Sequence, residues 1–579
     1  MAKLSKKQKK IVNAPLESFS IQACAGSGKT RTAVARVQKI RELLGDKRTH
    51  VLLLSFSNVA VQAFKEAFSK QAGAQVGNLV NSRISIVTFD SFLTSNILRP
   101  HAYRTMECNR TPFLVNGSEP FLLNDDYIFW YESSPRNIPI RGSDLSNLKV
   151  SVEDSKFKFY YDFHGNHRPI NNGPKAAAAI GKIGGYTHEL AKYWSIKTLS
   201  KEPKLLDILA KRYSHIVVDE AQDLGSFYCR ILQALINRGA TVSLVGDPSQ
   251  AIYEFTGADG VFLKDFVKNN NAIEYPLNKN YRSLKELVDI SNVISGNQTK
   301  AKRCVAKEGQ GGFFTRYEKD SPQELVDNFV EKIETLNLPI DNCAVLYRGV
   351  AGIEKLRSSS GKLGQGKVAL LAKACIFRDA HIDYHSAYEL VLGCVMGLLS
   401  DAPDDLNSRM NDVDLYPEVK EFRSHVWRFV KDKELGLPSS SLKAESEWLV
   451  KLKENIAVLF NEIENSCGYQ VTSRLGNNLT KAKLLDEPLL KDKDLIGTKK
   501  KPVRVDTVHQ AKGESLDGVL YVATKAHIES MLAGVETEDG RIGYVALTRA
   551  KDVFVLGVPN AAYNELKSRL EAIGLSELN

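Results

Sequence analysis

Residues 19–30 read FSIQACAGSGKT, and this stretch decides the fold. FSIQA (19–23) is a short apolar run of the kind that forms a buried strand, and a helix is expected from Thr30 to about Leu44, where Val34, Val37, Ile40 and Leu44 recur at helical spacing. Between them lies a small-residue turn ending in Gly28, Lys29 and Thr30. A strand, a glycine-bearing turn and a helix starting at Lys-Thr aim backbone N–H groups and the helix N-terminus at an anion. In such a loop Lys29 neutralises the β- and γ-phosphates of a nucleotide and the Thr30 hydroxyl ligates Mg²⁺. The opening position is Ala23 rather than glycine, and Cys24 follows it.

Working outward, VLLLSF (51–56), RISIVTF (83–89), HIVVDE (215–220) and TVSLVGD (241–247) are further aliphatic runs, which suit a parallel sheet covered on both faces. Between them, residues 93–205 are polar, carry an alternating patch at 149–163 that reads as a small hairpin, and turn helical from about Pro174. A second unit of the same kind starts near Asn280. Its strands are NCAVLYR (342–348), VRVDTV (503–508), GVLYVA (518–523) and VFVLGV (553–558), interrupted by a long helical stretch over about 365–490. The expectation is an α/β protein with two parallel-sheet cores, each interrupted by an insertion.

Composition narrows the class. A chain of 579 residues is too long for one core. No apolar run reaches the ~20 residues of a membrane helix, and the basic N-terminus lacks the apolar core of a signal peptide, so no membrane partner and a cytoplasmic location are expected. Eight cysteines without a CxxC pair argue against a zinc ribbon, an iron–sulfur cluster or a disulfide framework. The net charge of +10 is compatible with nucleic acid without demonstrating it. The basic clusters at Lys6–Lys10 and Lys499–Lys501 read alone as solvated faces.

VVDEAQD (217–223) supplies a second chemical group. Asp219 ends an aliphatic strand, where its carboxylate could reach Mg²⁺ held by Thr30, and Glu220 beside it could polarise an attacking water. Hydrolysis also needs positive charge on the γ-phosphate, and Arg282 in NKNYRS (278–283) and Arg549 in YVALTRAK (544–551) stand in distinctive settings.

In order along the chain, these segments resemble superfamily 1 helicases of the UvrD/Rep type. LSKKQKKIV (4–12) is similar to the Q motif, ACAGSGKT to motif I, SFSNVAVQAF (55–64) to motif Ia and TFDSF (88–92) to motif Ib. VVDEAQD is similar to motif II, VGDPSQAIYEFTGA (245–258) to motif III and NYRS (280–283) to motif IV. TVHQAKGESLDGV (507–519) and GRIGYVALTRAK (540–551) are similar to motifs V and VI.

The resemblance implies two RecA-like domains with an ATP cleft between them, each carrying a mostly helical insertion (1B and 2B). The implied segments are 1–92 and 206–278 for domain 1A around 93–205 (1B), and 279–362 and 501–579 for domain 2A around 363–500 (2B), the last reduced in size. It implies ATP and Mg²⁺ as cofactors, with Gln8 reading adenine, Tyr281 stacking on it, and Ala25, Gly26, Ser27, Gly28, Lys29 and Thr30 cradling the phosphates. Thr30 and Asp219 are implied as metal ligands, and Glu220, Gln250, Arg282 and Arg549 as catalytic. Phe56, Ser57, Asn58, Thr88, Phe89, Tyr253, Phe255 and His509 are implied to contact DNA, the alternative for Phe56 and Phe89 being strand-end core residues.

The implied activity is ATP-dependent translocation on single-stranded DNA, 3′ to 5′, with duplex unwinding. A competing reading is a DNA-stimulated ATPase sensor that controls a separate nuclease subunit. In length and lack of a tail the chain also resembles the helicase subunit of bacterial antiphage systems such as Gabija.

Several positions depart from the family pattern. Phe255 and Thr256 replace Trp-Arg, Asp90 replaces histidine, and Val59 replaces lysine, which together imply an altered grip on DNA. The acid of motif V stands one place early, at Glu514. Cys24 replaces glycine; were positive φ required there, a side chain would cost ~1 kcal/mol or more, and a thiol near the phosphates would sensitise the loop to alkylation. No appended nuclease is expected.

Overall fold

Parallel pairing of aliphatic strands dominates the computed structural model. It describes residues 4–578 except 73–82, 116–118, 120–121, 123–128, 132–137, 141–144, 146, 154–155, 164–165, 171–172, 255–256, 259, 319–321, 350–351, 353–365, 382, 404, 411–415, 473–475, 477–478, 482–483, 485 and 490–502.

The chain forms two compact units. One comprises Met1–Ser95, Leu199–Leu356 and Val503–Asn579, and the other Asn96–Thr198 and Arg357–Pro502. The first holds two six-stranded sheets. Strands β1 (Phe19–Ala23), β2 (Val51–Ser55), β3 (Ile84–Thr88), β4 (His215–Val218), β5 (Thr241–Gly246) and β6 (Ile273–Leu277) lie in the order β6-β1-β5-β4-β2-β3. Strands β7 (Gly311–Tyr317), β8 (Cys343–Tyr347), β9 (Arg504–Thr507), β10 (Leu516–Val522), β11 (Ala550–Pro559) and β12 (Ser576–Glu577) lie in the order β9-β8-β10-β11-β7-β12. Every pairing in both sheets is parallel. The turns after β1 and β4 therefore leave the same sheet edge, where ligands of open α/β sheets bind.

Short helix α1 (Lys6–Val12) opens with a capping box, in which Ser5 accepts from the Gln8 backbone and Gln8 returns to the Ser5 N–H. Helix α2 (Lys29–Leu44) packs Val34, Val37, Ile40 and Leu44 into the first core. Buried Arg36 on α2 donates to the carbonyls of Val12 (3.0 Å), Ala14 (2.6 Å) and Pro15 (2.5 Å), and so ties the exit of α1 to the helix behind the phosphate loop.

In the second unit the alternating patch 149–163 forms an antiparallel pair, Leu148–Glu153 with Lys156–Phe163, extended by Asn166–Pro169. The remainder of that unit's core is built by helices, chiefly Gly366–His381, Tyr384–Met396, Val419–Lys431 and Leu449–Cys467. No described helix is long and apolar enough to cross a membrane.

His215, at the start of β4, is buried with Nε2 unpartnered and Nδ1 3.0 Å from Ser214 Oγ. Burial, aided by Arg36 and Lys47, pushes its pKa down to about 4. A folded-state value below the free value of ~6.5 means that the unfolded chain takes up the extra proton. The contribution is therefore intact above pH ~6.5 and lost as pH falls towards ~4, at ~2 kcal/mol after allowance for partial solvation. Urea midpoints measured from pH 7.5 to 4.5 should fall, and His215→Asn should flatten that fall.

Candidate nucleotide site and DNA face

The turn after β1 places its glycines where the backbone demands them. Gly26 and Gly28 have φ of 66° and 81°, whereas Cys24 is absent from the positive-φ positions, so its side chain costs no backbone strain. A Cβ on Gly26 would come within 2.5 Å of Asn280 Oδ1, and one on Gly28 within 2.8 Å of Gln8 Nε2. Gln8 donates to the Ser27 carbonyl (3.1 Å), so α1 rests directly on the loop. Ala25 and Ser27 are buried, and the Ser27 hydroxyl has no partner. Lys29 and Thr30 begin α2. Burial raises the Cys24 thiol to about 11, which disfavours the thiolate that alkylation requires.

Beside the loop, a cavity of about 330 Å³ is lined by Ser5, Lys7, Ser27, Asn278, Tyr281 and Lys300 among others. The Tyr281 ring has the Lys279 and Lys302 ammonium groups each 5.7 Å from its centroid. Its segment is held by Asn280 Oδ1, which accepts from the backbones of Arg282 (2.7 Å) and Ser283 (2.9 Å), while the Tyr281 N–H donates to the Gly26 carbonyl (2.8 Å).

After β4, Asp219 is 3% exposed and its Oδ1 finds no hydrogen-bond partner. Burial and the neighbouring Glu220 charge push its carboxyl up. A buried carboxylate with an unsatisfied oxygen is the kind of hard-oxygen donor that suits Mg²⁺. Glu220 has φ 50°, a left-handed conformation rare for a side-chain-bearing residue and concentrated at functional sites. Burial alone would raise its pKa, but Lys29, Lys512, the Gln222 hydrogen bond and Arg549 outweigh that and hold it low, as the anion. Lys29 Nζ lies 4.0 Å from Glu220 Oε2.

Sequence reasoning did not single out Gln222, which is fully buried. It donates to Glu220 Oε2 (2.7 Å) and accepts from the Asp247 N–H (3.0 Å). Its presence inside VVDEAQD, between Glu220 and Asp223, was the available signal.

The two sheets meet here. Gln250 donates to Asp247 Oδ2 (2.7 Å) and accepts from Arg549 Nη2 (2.8 Å). Arg549, which ends helix α5 (Glu538–Arg549), and Arg282 both donate to the Glu514 carbonyl, at 3.2 and 3.3 Å. Burial and the Arg549 charge push Arg282 down to about 9. Glu514 itself turns its carboxylate to Arg504 (2.7 Å), so it offers these arginines a backbone carbonyl and not a charge.

Lys512, also missed from sequence, donates to both oxygens of Asp223 (2.6 Å each) and to the Gln250 carbonyl (2.6 Å). Its mark in the sequence was a lone lysine in TVHQAKG, opposite a third acid in VVDEAQD.

On the face expected to meet DNA, Ser57 caps helix α3 (Asn58–Ala72) through the Ala60 N–H (3.1 Å), and Ser57 and Asn58 are exposed. Thr88 caps the short helix Phe89–Leu93. Phe89 is only 3% exposed; it packs 5.0 Å from Phe56 and 4.7 Å from Tyr228, so its ring is spent on the core and not presented for stacking. Half-buried Phe56 also meets Tyr228, at 5.8 Å. Asp90 accepts from the Tyr228 hydroxyl (2.8 Å). Tyr228 lies on helix α6 (Ser226–Ile236).

Tyr253 and His509 lie together, ring centroids 5.4 Å apart, with His509 Nε2 donating to the Ile252 carbonyl (2.9 Å). Phe255 and Thr256 lie outside the described residues.

Comparison with known proteins matches this layout. The UvrD/REP helicase N-terminal domain matches residues 4–129 and 186–271, and the UvrD-like helicase C-terminal domain matches residues 408–559. The chain is 23% identical over 368 residues to the "DNA helicase II" of Haemophilus influenzae, covering 60% of this chain and 48% of the relative. It is 25% identical over 389 residues to the "Putative ATP-dependent DNA helicase YjcD" of Bacillus subtilis, covering 62% of this chain and 48% of the relative. A "Probable DNA helicase II homolog" of Mycoplasma capricolum is 22% identical over 632 residues, covering 94% of this chain and 83% of the relative. For the first two, the chain spans about half the relative's length.

Proposed function

Because this chain belongs to the UvrD/Rep-like family of superfamily 1 helicases, we propose that it is an ATP-dependent translocase on single-stranded DNA that unwinds duplexes, 3′ to 5′. The observation that carries the reading is the convergence of Arg549 and Arg282 from one sheet unit with Lys29, Glu220 and Gln250 from the other. In this reading the sheets are domains 1A and 2A, with ATP bound between them. The loop N–H groups and Lys29 hold the phosphates, and Tyr281 stacks on the base beside Gln8. Thr30 and Asp219 would hold Mg²⁺, which supplies charge neutralisation at the β- and γ-phosphates.

Glu220, kept anionic, orients and polarises the attacking water, and Gln222 fixes its carboxylate. Arg282 and Arg549 take up the charge that develops on the γ-phosphoryl oxygens. Since these groups come from both sheets, turnover would be coupled to closure of one against the other, and so to movement along DNA held by Ser57, Asn58, Thr88, Tyr253, Phe255 and His509.

Lys29→Ala should abolish DNA-stimulated ATP hydrolysis and strand displacement while leaving the melting temperature close to wild type. Turnover at the wild-type rate would remove the phosphate-loop assignment. Tailed duplexes with a 3′ or 5′ overhang read the polarity.

A second reading is favoured by the burial of Phe89 and the engagement of Asp90 by Tyr228, which leave the DNA face less aromatic and less basic than the family pattern. On it, the protein is a DNA-stimulated ATPase sensor that controls a separate nuclease in an antiphage defence complex. Robust unwinding by the purified chain alone rejects the sensor-only form.

A further inference from the structure

We propose that Arg303 is a positioning residue for ATP hydrolysis: it holds the backbones that carry Arg282 and Arg549 as one piece, so that both guanidinium groups meet the γ-phosphoryl group together. Its Nη1 donates to the carbonyls of Arg282 (2.8 Å) and Lys551 (3.2 Å), and its Nη2 to Asp552 Oδ1 (2.5 Å). One planar fork thus bridges the residue bearing the first cation and the chain just beyond the second. Arg303 stands in KAKRC (300–304), outside every motif segment described above.

The segment it holds has lost the usual support of a strand. Arg282 lies on the strand Lys279–Leu284, which pairs in parallel with Lys300–Arg303. The ladder passes from Asn280–Ala301 straight to Leu284–Arg303, so the strand carrying Tyr281 and Arg282 bulges out of register between those pairs. Side chains take over there. Asn280 Oδ1 accepts from the Arg282 and Ser283 N–H groups, and Arg303 supplies the donor for the Arg282 carbonyl. Ser283 Oγ adds a second tie, to the carbonyl of Ala550 (2.6 Å), the residue after Arg549.

At their heads the two cations share one acceptor, the Glu514 carbonyl, and Arg282 Nη1 also donates to the Thr548 carbonyl (3.1 Å). Two like charges brought this close repel, so their convergence depends on a frame that fixes both backbones. Asp552 completes that frame; it is buried, and its Oδ1 also accepts from Gln310 Nε2 (3.2 Å). Arg303 is bonded to the backbone of Arg282 and not to its guanidinium, so it acts through that residue. Its side chain is 35% exposed, so replacing it opens no core cavity.

The test is ATP hydrolysis at saturating single-stranded DNA, in steady state and in single turnover, by wild type, R303Q, R303K and D552N. R303Q should lower kcat by about 10- to 100-fold with KM for ATP within about threefold of wild type, since geometry is lost and ground-state binding is not. R303K keeps the charge without the planar bridge and should recover little. D552N leaves both carbonyl bonds in place and should lose about threefold to tenfold. In an Arg282→Ala background, R303Q should cost less than about threefold further, because the residue it chiefly holds is gone.

A kcat for R303Q within twofold of wild type overturns the role of Arg303. So does full recovery in R303K, which would mean that charge alone suffices, or full multiplication of the R303Q and Arg282→Ala losses. Should R303Q not fold, D552N gives the same readout, and an unchanged kcat there overturns the role as well. This inference rests on the proposed ATPase activity, and the two fail differently. Wild type without DNA-stimulated turnover removes that reading and this one with it, whereas an active wild type with an equally active R303Q removes this one alone.

Discussion

Glu220→Gln is expected to lower ATP turnover by about 10³-fold while nucleotide affinity stays within a few-fold of wild type. The side chain sits on a left-handed residue at the tip of β4, where its position is imposed by the turn and not by its own preference. Gln222 donates to Oε2 at 2.7 Å and Lys29 stands 4.0 Å away, so the carboxylate is oriented and charged before substrate arrives. An amide of the same shape keeps the packing but cannot accept the proton of an attacking water. It would also turn a donor towards the Gln222 amide or force that side chain to flip. Single-turnover hydrolysis together with binding of a fluorescent ATP analogue separates chemistry from affinity; turnover within tenfold of wild type would rule out the base assignment. Gln222→Ala should mimic part of the loss through misorientation, with a smaller fall in turnover and an unchanged pH profile.

The central strands of both sheets were legible because short, continuous aliphatic runs such as VLLLS and CAVLY suit strands buried on both faces. Edge strands β3 and β9 were read as well, as RISIVTF and VRVDTV, whereas β6 and β7 were not. Strand β6 reads IEYPL, with Ile273 and Glu274 exposed and a proline that an edge strand tolerates, so no apolar run announces it. Strand β7 reads GGFFTRY, where two glycines and an arginine break the pattern.

In the candidate nucleotide site, Lys29 and Glu220 could be singled out from one motif each, and the structure brings them within 4.0 Å of each other. Lys512, Asp223 and Gln222 could not, because their meaning lies in partners 289 residues away or across a turn. Phe89 was ambiguous for a related reason. A strand-end aromatic serves base or core according to what sits beside it, and Tyr228, more than a hundred residues later, decides for the core.

Arg549→Ala is expected to reduce turnover by at least about 10³-fold, the scale on which a cation at the γ-phosphate acts in phosphoryl transfer. Arg549 is buried at the end of α5, with Nη2 on Gln250 Oε1 (2.8 Å), Nη1 on the Glu514 carbonyl (3.2 Å) and Nε on the Val545 carbonyl (3.3 Å). Burial opposes its charge, and Glu220 and Asp247 offset part of that cost. Removing the guanidinium therefore takes away the charge and also the link that fastens the second sheet unit to Gln250. Lysine cannot replace it, because a single ammonium cannot serve three acceptors in one plane; Arg549→Lys should recover little.

Gln250→Ala, and the double variant with Arg549→Ala, test whether the pair acts as one device. If the arginine works through its bond to Gln250 as well as on phosphate, the double variant loses much less than the sum of the single losses. Full additivity would mean that the Gln250 link is incidental and that Arg549 acts on phosphate alone.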